Sequence, residues 1–159
     1  MGMHFQAVIR AVAGVGISLI LAGCTEDMGV DQYGRKVAVE RLEGQWLVIN
    51  YWAQWCAPCR KEIPELNALA TQLKEQSVQV LGVNFDALQG EKLNQAAHDM
   101  NIAFTVLAQD PAERYQLPRT EVLPVTYIVD PQGRMRERLQ GEQTAAGLTA
   151  RLKALKAEG

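Results

Sequence analysis

Runs of apolar residues separated by polar turns recur along most of this chain. The run over residues 45–52 is rich in β-forming side chains and lacks polar alternation, which predicts a strand buried on both faces. Residues 78–85 show the same pattern and predict a second buried strand. Shorter apolar stretches predict an edge strand at residues 37–39 and a short strand at residues 103–107.

Helical periodicity appears between these strands. In residues 57–76, apolar side chains recur every three or four positions, which predicts a helix kinked by Pro64. Residues 91–100 gather apolar side chains on one helical face, and residues 144–156 predict a closing amphipathic helix. Residues 110–115 begin with Asp-Pro, a good cap and first residue, and predict a helical turn.

The carboxyl-terminal part predicts a hairpin. Residues 125–129 and 134–139 flank Asp-Pro-Gln-Gly, which is typical of a type I turn. Strands that alternate with helices before a final hairpin and helix indicate an α/β fold over residues 37–159. We expect a mixed central sheet with helices on both faces.

Composition narrows the class of protein. The 16 Lys and Arg residues nearly balance the 18 Asp and Glu residues, and no basic cluster long enough to follow a phosphate backbone occurs, which argues against nucleic acid as a partner. Three cysteines are too few for a disulfide scaffold. Cys24 stands alone, whereas Cys56 and Cys59 are three positions apart, so the spacing predicts two separate roles.

Residues 1–23 have the layout of an export signal, with His4 and Arg10 before the uncharged apolar run of residues 11–22. At about a dozen residues this run is too short to cross a bilayer, which takes about 20 residues. It ends in Leu-Ala-Gly-Cys, which resembles a bacterial lipobox. The resemblance implies cleavage before Cys24 and attachment of lipid to its thiol.

Residues 24–36 are polar and contain two glycines, as expected for a lipidated tether. Three acyl chains would anchor the protein stably to a membrane, facing the periplasm. Thr25-Glu26 after the cysteine favours the outer membrane by family analogy. The alternatives are an ordinary secretory signal with a chance cysteine and an uncleaved anchor, and either still exports the domain.

The Trp55-Cys56-Ala57-Pro58-Cys59 segment joins a predicted strand to a predicted helix, which places Cys56 at the amino-terminal end of that helix. Unpaired N–H groups and the helix dipole stabilise a thiolate there, so Cys56 is expected to attack. Cys59 lies one turn further along and is expected to resolve the mixed disulfide. Pro58 fixes the turn, and Trp55 is expected to cover the sulfurs.

Two other interpretations of this cysteine pair remain open. A zinc site would need two more ligands, and His98 is the one histidine of the mature chain, so no metal is expected. A purely structural disulfide is the second alternative.

Two blocks resemble a known family. Residues 50–64 read Asn-Tyr-Trp-Ala-Gln-Trp-Cys-Ala-Pro-Cys-Arg-Lys-Glu-Ile-Pro, and residues 123–130 read Leu-Pro-Val-Thr-Tyr-Ile-Val-Asp. Both resemble the thioredoxin superfamily, and in detail its TlpA/ResA branch of envelope thioredoxins. The resemblance implies the thioredoxin fold, a dithiol-disulfide cycle and no bound cofactor.

The same resemblance implies a substrate groove. Pro124 is expected to be cis and to face the cysteines, although a trans proline that opens a strand is the alternative. The backbone of Leu123 would pair with an extended stretch of substrate. Trp55, Ala57 and Pro58 complete the expected groove.

Proton transfer poses a separate question, because Asn50 stands where cytoplasmic thioredoxin has a buried aspartate. Some relatives place an acidic residue after the next strand, and Asp86 is our hypothetical proton relay on that ground. A solvated aspartate at a strand end is the alternative. Arg60 and Glu62 are expected to be helix-surface charges that tune docking.

The resulting hypothesis is a monomeric thiol-disulfide oxidoreductase that reduces cysteine pairs of envelope proteins, apocytochrome c among them. A membrane electron donor of the DsbD or CcdA type would recharge it. A disulfide-forming oxidase is the nearest competitor. A membrane-tethered peptide-binding module with a structural disulfide is the competitor from another class.

Overall fold

A computed structural model describes residues 27–158, so the predicted signal peptide and Cys24 lie outside the described part. In chain order the elements are β1 (Asp27–Val30), β2 (Lys36–Ala38), a 3-10 helix (Val39–Arg41), β3 (Trp46–Trp52), α1 (Ala57–Gln72), β4 (Val78–Asn84), α2 (Gly90–Asp99), β5 (Thr105–Leu107), β6 (Val125–Val129), β7 (Met135–Gln140) and α3 (Ala145–Glu158). The predicted strands and helices are present, with ends shifted by up to four residues. None of the helices in residues 27–158 has the length and apolar character needed to cross a membrane.

Five strands form one mixed sheet in the order β5-β4-β3-β6-β7. β3, β4 and β5 run parallel because α1 and α2 connect them as crossovers, and β6 runs antiparallel to β3. β6 and β7 form the hairpin that the Asp-Pro-Gln-Gly turn predicted. The predicted α/β class and mixed sheet are confirmed.

The two faces of this sheet are covered differently. Side chains of β3 alternate, so that Val48 and Trp52 pack with the three α-helices on one face. Leu47, Ile49 and Tyr51 pack on the opposite face against the β1–β2 hairpin, the 3-10 helix and the connection from β5 to β6. Helices were predicted on both faces, but within residues 27–158 the α-helices lie on one face and only the 3-10 helix lies on the other.

The connection from β5 to β6 explains this difference. It crosses the second face as a series of turns, and the helical turn predicted at residues 110–115 appears only as isolated bonds, such as the one from the N–H of Tyr115 to the carbonyl of Pro111 (3.2 Å). Pro111 and Pro118 bracket this segment and cannot donate backbone hydrogen bonds. Tyr115 and Leu117 are nevertheless buried against the sheet.

The prediction of a tether at residues 24–36 is wrong for residues 27–36, because these residues belong to the fold. β1 and β2 form an antiparallel hairpin, and the loop between them runs along β5. There the side-chain amide of buried Gln32 donates to the carbonyl of Phe104 (3.1 Å) and accepts from the N–H of Val106 (2.8 Å). Polarity suggested a solvated segment, but these polar groups are buried and paired.

Two turns with the sequence Asp-x-x-Gly-Arg close the two hairpins in the same way. In each, the aspartate Oδ1 accepts from the N–H groups two and four residues later, at 2.8 to 3.0 Å. Gly34 and Gly133 take the positive φ angles of +74° and +78° that each turn requires. Burial would raise the pKa of Asp130, but the hydrogen bonds from Arg134 outweigh it and hold that pKa below its usual value.

Candidate active site

A disulfide joins Cys56 and Cys59 at the amino-terminal end of α1, with an S–S distance of 2.07 Å and 5.3 Å between the Cα atoms. Cys56 is the N-cap residue of this helix, with extended backbone angles. Its sulfur accepts the N–H of Cys59 at 3.2 Å. The strand-to-helix junction therefore places one sulfur among the unpaired donors of a helix start, where a thiolate is stabilised.

The two sulfurs have unequal surroundings. Cys59 is fully buried, whereas Cys56 is 4 % exposed beside the exposed residues Ala57 and Pro58. An incoming disulfide can therefore reach Cys56 from solvent. Cys59 instead packs in the hydrophobic core between α1 and the sheet. This asymmetry suits an attacking and a resolving thiol.

The peptide bond between Leu123 and Pro124 is cis, as the family resemblance implied. Pro124 immediately precedes β6, whose residue Val125 lies opposite Tyr51 near the end of β3. The chain continues from β3 directly into the cysteine segment. The cis bond and Cys56 are therefore held at the same end of two adjacent strands, while the groove role of Leu123 stays a prediction.

An aromatic pair stands beside this junction. Trp55 is 65 % exposed, and its ring meets that of Phe85 edge to face, with 6.1 Å between the ring centroids. The indole N–H donates to both carboxylate oxygens of Asp86, at 3.0 and 3.2 Å. Asp86 thus holds an exposed aromatic side chain, and the relay assigned to it stays a prediction.

The buried carboxyl of the site is Glu62, whose side chain is 1 % exposed. It was expected on the helix surface, and that expectation is wrong. Glu62 lies three residues after Cys59 and therefore on the same face of α1. Its Oε2 accepts from the amide Nδ2 of Asn50 (3.0 Å), and its Oε1 accepts from the backbone N–H of Gln143 (3.1 Å) and from the hydroxyl of Thr126 (3.5 Å).

Burial raises the pKa of Glu62 to about 7, because the charged form loses its hydration inside the protein. The hydrogen bonds from Asn50, Gln143 and Thr126 favour the carboxylate and limit this rise. A carboxyl with a pKa near neutrality changes its protonation state readily at physiological pH. It can therefore take up and release a proton during a reaction cycle.

A pattern in the sequence does point to Glu62. The buried positions of α1 include Cys59, Glu62, Ile63 and Leu66, and these follow a helical spacing of three or four. The spacing places Glu62 on the inward face, but its charge argued for the surface. Asn50 and Thr126 gave no comparable signal, because what buries them is the packing of β3 and β6 under α1.

Residues for a metal or cofactor are sparse. In residues 27–158 no group of three or more His, Cys, Asp or Glu side chains is placed to hold a metal ion. His98 is exposed and lies 3.7 Å from Asp99. The chemistry that this arrangement can support resides in its two sulfurs and the carboxyl beneath them.

Comparison with known proteins identifies the family of this chain. The AhpC/TSA family model matches residues 23–138. The thiol-disulfide oxidoreductase ResA of Bacillus thuringiensis subsp. konkukian is 28% identical over 123 residues, which cover 77% of this chain and 70% of ResA. ResA of Oceanobacillus iheyensis is 31% identical over 108 residues, which cover 68% and 56% of the two chains.

Solved structures show the same fold. A DsbF homologue from Corynebacterium diphtheriae superposes with a TM-score of 0.67 at 24% identity, over 79% of this chain and 82% of that one. A protein described as a putative thiol:disulfide interchange protein DsbE from Chlorobium tepidum has a TM-score of 0.62 at 24% identity, over 85% and 95%. StoA from Bacillus subtilis has a TM-score of 0.60 at 19% identity, over 76% and 92%.

Proposed function

The chain belongs to the AhpC/TSA family and is a thiol-disulfide oxidoreductase, and we propose that it reduces disulfides of proteins in the cell envelope. The observation that carries this proposal is the position of the cysteine pair on α1. Cys56 caps the amino-terminal end of this helix, and Cys59 shares a helix face with the buried carboxyl of Glu62. One sulfur is stabilised as a thiolate, and the other has a proton acceptor close by on its own helix face.

The cycle transfers two electrons from the reduced pair to the substrate. The Cys56 thiolate attacks one sulfur of a substrate disulfide, and the other substrate sulfur leaves as a thiolate. Cys59 then loses its proton and attacks the Cys56 sulfur. The first substrate sulfur is released, and the Cys56–Cys59 disulfide remains.

Glu62 is the proposed acceptor for the Cys59 proton. It is the buried carboxyl on the Cys59 face of α1, and its raised pKa allows it to accept and release a proton near neutral pH. Asn50 and Thr126 orient the carboxyl. Glu62 thereby supplies the titrating group that an asparagine at position 50 cannot supply.

The substrate is proposed to lie across the exposed residues around the pair. Trp55, Ala57 and Pro58 border Cys56, and the backbone of Leu123, next to cis-Pro124, is proposed to pair with an extended stretch of substrate. The heme-site cysteine pairs of apocytochromes c, in their disulfide form, are one proposed substrate class. A membrane electron carrier of the DsbD or CcdA type is the proposed source of reducing equivalents.

Trapping of the mixed disulfide tests the reductase proposal. Cys59→Ala in the full-length chain should accumulate disulfide-linked partners on Cys56, because the resolving sulfur is absent. The matched control is Cys56→Ala, which should trap none. Failure to trap any partner, together with a reduction potential near that of a strong oxidant at about −120 mV, would assign the protein to disulfide formation instead.

The lipid anchor is a separate proposal. Export through residues 1–23 and acylation of Cys24 would hold the domain at a membrane facing the periplasm, with the outer membrane favoured. Metabolic labelling with palmitate should mark the full-length protein, and Cys24→Ser should abolish the label. A labelled Cys24→Ser protein would contradict the assignment of this thiol.

A further inference from the structure

A cavity of about 710 Å³ lies near the carboxyl ends of β4 and β5, on the sheet face opposite α1. Three loops form its walls: residues 84–88, residues 108–112 and residues 117–121. The rings of Tyr51 and Tyr127 meet edge to face at 5.6 Å and contribute to the lining. Its volume falls in the range of pockets that hold small molecules or large side chains, roughly 300 to 1,000 Å³.

The accessible walls carry the apolar side chains of Phe85, Leu88 and Pro118 beside the charged residues Arg119 and Glu121. The two tyrosines lie beneath these walls, and their hydroxyls are already bonded. The hydroxyl of Tyr51 donates to Asp110, and that of Tyr127 donates to the carbonyl of Pro118. Burial and the bond to Asp110 raise the pKa of Tyr51, so its hydroxyl stays protonated. The two tyrosines are 6 % and 0 % exposed and form a bonded floor, so the contact surface for an occupant comes from the more exposed apolar residues of the walls.

Asn84 holds one wall of this cavity in place. Its side chain is 5 % exposed, and its Oδ1 accepts the N–H groups of Asp86 (3.1 Å) and Leu88 (3.3 Å). The Nδ2 donor of the same amide has no partner among the described residues. The Nδ2 atom is buried away from the cavity surface, so Asn84 contributes by holding the loop that follows it through the two bonds that its Oδ1 accepts.

The cavity continues from the active site. The wall at residues 84–88 carries Phe85, whose ring contacts Trp55 beside Cys56. The wall at residues 117–121 leads within two residues to Leu123 and the cis bond. A polypeptide that lies along Leu123 with its disulfide at Cys56 therefore runs beside the mouth of the cavity.

We propose that this cavity is a specificity pocket that receives an aromatic or large aliphatic side chain of the protein substrate, a few residues from the cysteine under attack. The accessible apolar residues of the walls, Phe85, Leu88, Ala112 and Pro118, pack against this side chain. The inference rests on the proposed reduction of protein disulfides and defines the class of substrate sequence that is reduced fastest.

Reduced wild-type protein tests the pocket with matched peptides. Each peptide carries one disulfide and a single tryptophan at successive positions on either side of a cysteine, and serine replaces tryptophan in the control peptides. A single methylene in a hydrophobic pocket already discriminates by about 10- to 200-fold. We expect kcat/KM for the best tryptophan peptide to exceed that of its serine control by at least tenfold.

A variant connects the preference to the cavity. Ala112→Phe places a ring in the lining, and it should bring the ratio of the two kcat/KM values towards one. The ratio does not depend on the fraction of active protein. Ala146→Phe on the exposed surface of α3 is the matched control and should keep the wild-type ratio. Leu88→Ala, which removes apolar surface from the lining, serves where Ala112→Phe does not fold.

The outcomes separate this inference from the function beneath it. Wild-type protein that reduces tryptophan and serine peptides equally would overturn the pocket and leave the reductase intact. Protein that reduces neither peptide nor glutathione disulfide would overturn the proposed function. A preference that persists in Ala112→Phe would also overturn the pocket. A dimer that Ala112→Phe dissociates would do the same, because it would assign this face to a second copy of the chain.

Discussion

The two sides of the Cys56–Cys59 disulfide have opposite environments, although each carries one carboxyl. Glu62 lies beneath the pair, almost fully buried, with three hydrogen-bond donors from distant parts of the chain. Asp86 lies at the exposed rim, where it accepts the indole N–H of Trp55. The buried side is built to move a proton, and the exposed side is built to present a surface.

This difference follows from solvation. A carboxyl removed from water favours its neutral form, so its proton affinity rises into the range useful at neutral pH. A carboxyl at the exposed rim can instead accept a hydrogen bond from a neighbouring donor and fix its position. The comparison therefore assigns chemistry to Glu62 and positioning to Asp86, and changes at the two residues should affect different kinetic quantities.

The largest expected effect is on the buried side. Glu62→Gln keeps the size of the side chain but removes the titrating group, so attack by Cys59 should slow by about 10²-fold or more at neutral pH. Stopped-flow measurement of the resolution of a Cys56–glutathione mixed disulfide gives this rate directly. Glu75→Gln, at an exposed carboxyl beyond the other end of α1, is the control and should keep the wild-type rate.

The raised pKa of Glu62 should also change how the free energy of unfolding of the oxidised protein depends on pH. Glu62 holds its proton up to a pH of about 7 when folded but loses it near 4.5 when unfolded. Between these values the folded state binds more protons, so the free energy of unfolding falls as pH rises, by up to about 3 kcal/mol. Urea titrations from pH 5 to pH 8 should show this fall, and Glu62→Gln should lack it. An equal fall in both proteins would contradict the raised pKa.

A smaller effect is expected on the exposed side. Asp86→Ala releases the indole of Trp55, a bond worth about 1 kcal/mol, so KM for a protein disulfide should rise about fivefold. The pH dependence of Cys59 reactivity should stay that of wild type. A changed pH dependence would instead support the proton relay predicted for Asp86 from the sequence. Asp99→Asn, another exposed carboxyl, is the control.

The smallest effect concerns the hydrogen bonds around Glu62. Thr126→Val removes a donor that favours the carboxylate, so the pKa of Glu62 should rise further, by less than about one unit. The pH midpoint of the Cys59 step should move upward by the same amount. A downward shift would show that Thr126 stabilises the protonated form.

The sequence was sufficient for most of the fold because its elements depend on local pattern. The apolar run of residues 45–52 and the helical spacing after Cys56 both appear as elements at those places. The hairpin at residues 27–38 was missed because its buried polar side chains, such as Gln32, are paired with residues more than 70 positions away. Local polarity suggested solvent where tertiary contact supplied the partners.

The sequence by itself determined the reacting pair, because a strand, two cysteines and a helix start are adjacent in the chain. Only the tertiary structure decided the rest of the site. Glu62 is bonded to residues 12, 64 and 81 positions away, and burial by those segments raises its pKa. The cavity beside Phe85 likewise needs three separate loops. Such features depend on contacts between distant segments, which no local pattern of residues encodes.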